Sequence, residues 1–237
     1  MLGVLVNTVA VLVGGSVGLL VNKGLPKRFS GAIMNGIGLC TIYVGISGAL
    51  KGENPIILVV SIVLGAISGT ALRLDDRLNT LGEMLEKRFA RASSADSGGD
   101  AKPSIAQGFV TASLLFCVGA MAIIGSINSG LNGDNTVTFT KSTLDLVASA
   151  MLAVSLGIGV IFSAATVLVY QGLLVLLAQL LRPLLDNPSM LAEMNCVGSV
   201  IIIGLGLNLI GLTKIKVADY LPAIVFAPLI CAVAGLF

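Results

Sequence analysis

The side chain best suited to chemistry is an acid inside an apolar segment. Asp145 is the second residue of an apolar run that extends from residue 144 to 181. An ionised group in a membrane segment is costly and usually faces a cavity or a charged partner. Lys141 lies four residues earlier on the same helical face, so a helix cap or an ion pair near the membrane interface is the alternative. The sequence predicts an ion or substrate site at Asp145 and leaves this structural alternative open.

Three asparagines, Asn7, Asn35 and Asn195, bring polar amides into other apolar runs. Asn35 and Asn195 align at an offset of 160 residues, and glycines follow each of them. A helix unwound at glycine offers carbonyl oxygens to cations and N–H groups to anions. An interhelical hydrogen bond, worth about 0.6 kcal/mol, is the alternative. We predict that Asn35 and Asn195 line one polar cavity, that Asn7 lies on the same path, and that Asp145 completes the site.

Several other chemistries lack the residues that they need. The chain has no histidine, and its four cysteines lie inside apolar runs without paired spacing. Transition-metal sites and histidine-dependent catalytic constellations are therefore excluded. No basic patch interleaved with aromatic residues is present, which argues against nucleic-acid binding. We expect no enzyme activity, no cofactor and no metal.

The composition is that of an integral membrane protein. Of 237 residues, 56% are hydrophobic and only 11% are charged, with a mean hydropathy of +1.01. A soluble domain carries about 25% charged residues, so this chain cannot cover a water-facing surface with charge. We expect the lipid bilayer to be a partner of this protein. The sequence leaves open whether it forms a homo-oligomer.

The elements that position these residues are apolar runs long enough to cross a bilayer. The run 144–181 has 38 residues, about 57 Å of helix, and must either divide near Gly157 or form a long kinked or re-entrant helix. The predicted fold is all-α and polytopic, with seven or eight transmembrane helices. The eight-span division places them at about 2–21, 31–50, 55–72, 105–127, two within 144–181 divided near residues 157–159, 194–212 and 221–237.

The only strongly charged helical segment divides the chain into three parts. Residues 1–73 hold the first three spans, residues 74–104 hold an amphipathic helix and a Ser/Gly-rich linker at 91–104, and residues 105–237 hold the remaining spans. Leu74, Leu78, Leu81, Leu85 and Phe89 recur at helical spacing between charged residues, which is typical of a helix on the membrane surface or docked on protein.

The basic residues predict the orientation. With eight spans, 11 of the 14 lysines and arginines lie in loops on one side, together with the amphipathic helix. The positive-inside rule places that side in the cytoplasm and both termini outside. If 144–181 crosses only once, the division becomes 10 to 4, so charge favours eight spans only slightly.

Repeated stretches point to duplication. Cys117–Gly125 matches Cys196–Gly204 at six of nine positions, and Met34–Gly38 resembles residues 194–198. With eight spans the first three and the last three would form an inverted pair, which is the structural basis of alternating access in many transporters. Small residues in the apolar runs are expected to let the transmembrane helices pack closely. They are Gly14, Gly18, Gly65, Gly69, Gly157, Gly198 and Gly204.

Three further patterns are informative together: Asn7 with the following Val-Leu-Val-Gly-Gly15, Phe116-Cys117, and above all Gly133-Asp134 followed by Lys141-Ser-Thr-Leu-Asp145 and Ser155-Leu-Gly157. In these motifs the chain resembles the YqgA-like family of bacterial inner-membrane proteins. The resemblance implies a multi-pass protein of the bacterial inner membrane. That family is a domain of unknown function, so it implies no substrate.

The sequence therefore favours a small transporter or channel-like permease for a small polar solute or ion, with its site between the repeats near the membrane midplane. The alternative is a non-transporting assembly or regulatory subunit that docks through the amphipathic helix at 74–91.

Overall fold

The fold is that of a computed structural model, which describes residues 1–22, 27–90, 105–118, 120–180 and 187–235. Its regular elements in these ranges are all helical. They are α1 (Leu2–Asn22), α2 (Lys27–Ala49), α3 (Pro55–Leu72), α4 (Leu74–Ala90), α5 (Ile105–Val118), α6 (Ala120–Leu131), α7 (Thr136–Leu156), α8 (Gly159–Leu176), α9 (Pro188–Leu209), a 3-10 turn (Val217–Tyr220) and α10 (Ala223–Ala234).

Six helices, α1, α2, α3, α7, α8 and α9, are long and apolar enough to cross a membrane. The α5–α6 pair is bent by 60° and becomes a seventh span if its two halves are taken together. The apolar segment Val217–Val233, which contains α10, is shorter. The prediction of an all-helical membrane protein is thus confirmed. The described residues contain six to seven clear candidate spans, compared with the seven or eight predicted.

Local signals in the sequence account for the helix starts. Asn54 accepts a hydrogen bond from the Ile56 N–H, and Pro55 occupies the first position of α3, where its missing N–H costs nothing. The same Asn-Pro pair opens α9, where Asn187 accepts from the Met190 N–H. At α7 the Asp134 carboxylate accepts from the Thr136 backbone N–H and hydroxyl, and these bonds hold the pKa of Asp134 below its usual range.

The apolar run 144–181 contains parts of two antiparallel helices. Gly14 and Gly18 of α1 lie against residues 146–149 and 150–153 of α7, so α1 and α7 are parallel. Asn7 and Gly15 of α1 instead meet Gln171 and Ile161 of α8, so α8 runs in the opposite direction. The chain reverses at Gly157, whose φ of 73° is strained for other residues. The division predicted near Gly157 is correct.

The start of α7 differs from the prediction. The eight-span division starts this span at residue 144, yet α7 begins at Thr136 and is helical throughout the polar stretch before that position. Thr138, Lys141 and Ser142 are buried; Lys141 pairs with Asp145, and the Ser142 hydroxyl donates to the Thr138 carbonyl oxygen. The polar residues at the start of α7 therefore lie on its buried face and do not form a loop.

The bent α5–α6 pair follows α8 along its whole length. Ile105 lies against Gly159 at one end, Ser113 bonds Thr166 further along, and Gly130 meets Val175 at the other end. Because both halves progress in the direction of α8, the pair passes from one end of the bundle to the other and does not turn back. The matched stretch 117–125 spans this bend, whereas 196–204 lies in the continuous helix α9, so the two copies differ in structure.

Helix α2 packs antiparallel to α9, and α3 packs antiparallel to α10. A Cβ at Gly38 would lie 3.1 Å from the Gly206 carbonyl oxygen, and Gly48 meets Ser199. On α3, Gly65 meets Ala223 and Gly69 meets the Asp219 backbone. The first three helices therefore make their closest contacts with later helices, so residues 1–73 form no separate body.

Contacts at the two ends of the bundle agree with eight alternating segments. At one end Asp76 of α4 forms an ion pair with Lys216, which precedes the 3-10 turn, and we call this end the α4 face. At the opposite face Glu193, near the start of α9, accepts from the N–H groups of Glu53 and Asn54. These are the loops that the charge count assigned to the same sides.

Helix α4 is attached to the bundle at its first turn. The Asp219 carboxylate accepts from the Asp75 N–H at 2.9 Å, and α4 packs along α5. Partial burial raises the pKa of Asp75. Leu74 and Leu78 are half-buried on the packed side. The linker predicted at 91–104 lies outside the described residues.

Candidate functional site

The site is built around a buried amide that joins three helices. Asn7 of α1 is fully buried, and its Nδ2 donates to Asp145 Oδ2 of α7 at 3.0 Å and to Gln171 Oε1 of α8 at 3.2 Å. Asn7 and Asp145, both predicted from the sequence, are therefore in direct contact. Gln171, which is not among the site residues predicted from the sequence, is the third member.

A buried ion pair completes the cluster. The Lys141 Nζ donates to the same Asp145 oxygen from one turn earlier on α7. The two side chains are only 7% and 9% exposed. The Lys141 ammonium also lies 5.8 Å from the centroid of the Phe116 ring on α5. The ion-pair alternative is thus present, and it lies inside the cluster.

Close packing of α1 on α7 brings Asn7 to the acid. A Cβ at Gly14 would lie 2.2 Å from the Leu146 carbonyl oxygen, and one at Gly18 would lie 2.2 Å from the Ala150 carbonyl oxygen. Such backbone approach requires glycine, as at small-residue helix contacts in membranes. The glycines of α1 therefore allow the short distance between Asn7 and Asp145.

Helix α7 carries a line of buried polar side chains at spacings of three and four residues. These five residues, which we call the α7 polar line, are Thr138, Lys141, Ser142, Asp145 and Ser149. They extend over about 17 Å of helix, given the rise of 1.5 Å per residue. A spacing of three and four keeps them on one helical face.

Several polar atoms in and around the cluster have no partner among the described protein groups. They are Asn7 Oδ1, Gln171 Nε2, Thr138 Oγ1 and Ser126 Oγ, all buried. An unpaired buried polar group costs about 1–3 kcal/mol, and lipid offers no replacement. The cluster can therefore bind a further polar species through acceptors and a donor that are already in place.

The cluster lies nearer the opposite face than the α4 face. Asn7 and Lys141 are each five residues from the start of their helix, and Gln171 is five residues before the end of α8, about 8 Å in each case. Towards the α4 face the interior is mainly apolar, although Ser155 and Ser163 are also buried there. That half is filled by Val11, Phe116, Leu152, Leu156 and Val160, all essentially inaccessible.

The other two predicted asparagines do not join the site. Asn35 is exposed on α2, whereas Asn195 on α9 donates to the Gly48 carbonyl oxygen at 3.4 Å. They lie towards opposite ends of the α2–α9 pair, and backbone contact at Gly38 and Gly206 fills the space between these helices. The structure does not bring these two asparagines together, and the shared cavity, which was predicted to be approached from opposite membrane faces, stays a prediction.

The predicted packing glycines occupy different environments. Gly14, Gly18, Gly65 and Gly69 lie against neighbouring backbone, and Gly198 is buried within α9. At Gly204 a Cβ would only reach ordinary contact, 3.7 Å from Ile215.

A second buried acid was missed. Glu193 is 2% exposed, its Oε1 accepts from the Glu53 and Asn54 N–H groups at 2.7 Å each, and its Oε2 is unpartnered among the described groups. The sequence division began this span at Met194, so Asp145 was considered the sole acid within a span. The Asn-Pro start at Asn187 was the signal that could have included it.

The cysteines form no disulfide among the described residues, and three of the four are buried. No group of three histidine, cysteine, aspartate or glutamate side chains that could hold a metal ion occurs within the described ranges.

The fold and the enclosed polar cluster define a polytopic α-helical membrane protein. The chain belongs to the DUF554 family, described as a protein of unknown function, whose model matches residues 2–232. This confirms the family resemblance. The chain is 29% identical over 241 residues to the uncharacterised membrane protein YdfK of Bacillus subtilis (strain 168), covering 100% of this chain and 98% of that protein. It is 32% identical over 226 residues to the uncharacterised protein YqgA of Escherichia coli (strain K12), covering 95% and 94%. No solved structure matches the chain.

Proposed function

We propose that this protein is a permease for a small polar solute or ion in a bacterial inner membrane. The observation that carries the proposal is the buried Lys141–Asp145 pair, hydrogen-bonded to Asn7 across α1, α7 and α8. Ionisable groups in membrane spans are expensive and typically mark ion or substrate pathways. The unpartnered polar atoms beside the pair supply capacity for a ligand.

The arrangement of the interior suggests how access is controlled. The α7 polar line approaches the opposite face, and the apolar half around Phe116 and Leu152 closes the way to the α4 face. Transport requires that this apolar half open while the polar half closes. A single conformation blocked on one side is what alternating access demands.

The antiparallel pairing of α1 with α8, α2 with α9 and α3 with α10 supports an inverted relation between the first and last three helices. Inverted units give two near-equivalent arrangements that face opposite sides. The polar cluster then lies at the contact of α1 and α8, the first pair, together with α7.

Docking through α4 is the less supported function. The first turn of α4 already bonds Asp219, and the helix packs along α5, so part of its apolar side is used within the chain. Scrambling Leu78, Leu81 and Leu85 is expected to affect transport by the purified protein much less than it would affect partner binding by a docking subunit.

Uptake by purified protein in liposomes tests the proposal. Asp145→Asn should abolish uptake of any transported solute in a panel of small ions, amino acids and sugars. Glu53→Gln is the matched control, because Glu53 is an exposed acid at the opposite face whose side chain has no role in the cluster. The proposal fails if no solute enters faster than into empty liposomes, or if Asp145→Asn transports as well as Glu53→Gln.

A further inference from the structure

The Lys141 ammonium occupies a set of groups suited to a cation. It is bonded to the Asp145 carboxylate and lies 5.8 Å from the Phe116 ring centroid. Carboxylates and aromatic faces are the two kinds of protein group that attract ammonium ions most strongly. The fully buried Asn7 adds Oδ1, an acceptor without a partner among the described groups, and Thr138 Oγ1 is a second. The lysine thus fills a binding place for a cation with part of the chain itself.

The charge balance favours a positive ligand over a negative one. Asp145 and Lys141 together are neutral, and no other charged side chain in the described part of the chain is bonded to either of them. An anion would meet an ammonium already neutralised by its carboxylate. A cation can take the place of the ammonium and keep the net charge of the interior unchanged, which avoids the large cost of an extra buried charge.

The Lys141 ammonium can move towards the opposite face when it leaves Asp145. It lies about 8 Å from the start of α7 at the opposite face, and a lysine side chain can extend its charged end along apolar surface to water. A displaced ammonium can therefore reach the membrane interface while its backbone stays in place.

We propose that the site binds a small monovalent cation in place of the Lys141 ammonium, with Asp145 and Asn7 as its principal oxygen ligands and Phe116 beside it. The proposal rests on the permease function and narrows its substrates to cations of this class, either alkali ions or small ammonium ions. Lys141 acts as a tethered competitor that leaves Asp145 when the cation enters and returns when it departs.

Removing the tethered competitor gives the test. Lys141→Ala leaves the Asp145 carboxylate buried and opens the space of the lysine side chain. Thermal unfolding of the purified variant is measured at constant ionic strength in chlorides of sodium, potassium, ammonium, methylammonium and choline. At least one of the first four should raise Tm by about 3–5 °C above choline, which is too large for the site, when present at about tenfold its dissociation constant. The salt that succeeds separates the alkali class from the ammonium class.

Two comparisons make the result specific. Wild-type protein should show a much smaller cation-selective shift, because Lys141 already occupies the site. The double variant Lys141→Ala/Asp145→Asn should show none, because it has neither competitor nor carboxylate. If Lys141→Ala does not fold, Lys141→Ser, which also opens the space of the lysine side chain and adds a hydroxyl, is measured in the same salts.

Equal Tm values in all five salts for the variant that folds would overturn the proposal, as would an equal cation shift in the double variant. The binding measurement needs no transport, so it separates two failures. Cation-selective stabilisation without uptake would keep the cation site and reject the permease. Asp145-dependent uptake of an anion or a neutral solute, without cation stabilisation, would keep the permease and reject the cation class.

Discussion

At the scale of single residues, Asp145 is both the charge partner of Lys141 and an acceptor for Asn7. A stable ion pair and a ligand site are therefore compatible in the same residues, since the pair leaves Asn7 Oδ1 and Thr138 Oγ1 unpartnered among the described groups. In a bilayer such a pair is strongly held when intact and costly when one member is removed.

Removing one charge should therefore destabilise the protein more than removing both. We expect Lys141→Met to lower the free energy of unfolding by about 3–5 kcal/mol, because it leaves the buried Asp145 carboxylate unpaired. Lys141→Met/Asp145→Leu should recover most of this loss. Equilibrium unfolding in detergent micelles measures both, and a double variant as unstable as the single one would refute the coupling.

Glu193 offers a second residue-scale prediction. Its carboxylate accepts two backbone N–H groups from the turn between α2 and α3. Glu193→Leu removes an acceptor for both, so we expect a loss of about 1–3 kcal/mol in stability. Glu193→Gln keeps one side-chain oxygen and should lose less. Glu53→Gln, a change on an exposed side chain in the same turn, serves as control. A loss for Glu53→Gln equal to that for Glu193→Leu would show that the turn responds to charge alone.

The sequence reveals some of these residues and conceals others for physical reasons. Asp145 and Asn7 stand out because polar groups are rare in apolar runs. Gln171 has no charge and follows Tyr170 in an apolar run, so the sequence does not mark it as a site residue. Only the approach of α1 to α8 reveals its contact with Asn7. Asn35 and Asn195 share a sequence pattern, but antiparallel packing of their helices separates them. Similar local sequence on two packed helices therefore does not tell which of their residues meet.

At the scale of elements, the site depends on the contact of α1 with α7. Gly14→Ala would place a methyl group 2.2 Å from the Leu146 carbonyl oxygen and force the helices apart. We expect a loss of about 1–3 kcal/mol in stability from such overpacking. Transport should fall as well, because Asn7 would move away from Asp145.

Gly36→Ala is the matched control, because a Cβ at Gly36 on α2 would meet no atom within 4 Å. Stability and transport are expected to stay at wild-type levels in this variant. An equal loss in both variants would show that helix glycines matter here for reasons other than the α1–α7 contact.

Element boundaries show where periodicity alone succeeds and fails. The Asn-Pro start of α3 and the reversal at Gly157 follow from turn and cap chemistry that acts locally. The start of α7 at Thr136 could not be predicted from hydropathy, because its first turns are polar in sequence although Thr138, Lys141 and Ser142 are buried. The bend between α5 and α6 also lacks a proline, and the glycine at position 119 of the sequence does not by itself predict a break, because an isolated glycine is tolerated within a helix.

At the scale of the whole molecule, the alternation of eight helical segments agrees with the division of basic residues between the two faces. Lys216 lies at the α4 face with Asp76, whereas Glu193 and the turn at residues 50–54 lie at the opposite face. The division of basic residues, 11 to 3 against 10 to 4, favours two crossings within 144–181 over one only slightly. The reversal of chain direction at Gly157 supports two crossings independently.

The charge division predicts that both termini face the periplasm and that the α4 face is cytoplasmic. A C-terminal alkaline phosphatase fusion should be active, and a C-terminal GFP fusion should be dark. Fusions placed after Arg77, in α4, should behave in the reverse way. An inactive phosphatase together with a fluorescent GFP at the C-terminus would invert the orientation.

The central claim is that the α7 polar line forms the aqueous route to Asp145. Ser142→Cys, in a background that lacks the four native cysteines, should react with a small water-soluble, membrane-impermeant thiol reagent added at the opposite face. Leu152→Cys, in the apolar half, should stay unreactive in the same conformation. Reaction at 142 should slow when the transported solute is added. If the cysteine at 142 is inert from both faces with and without solute, the polar line is a packed interior and the account is wrong.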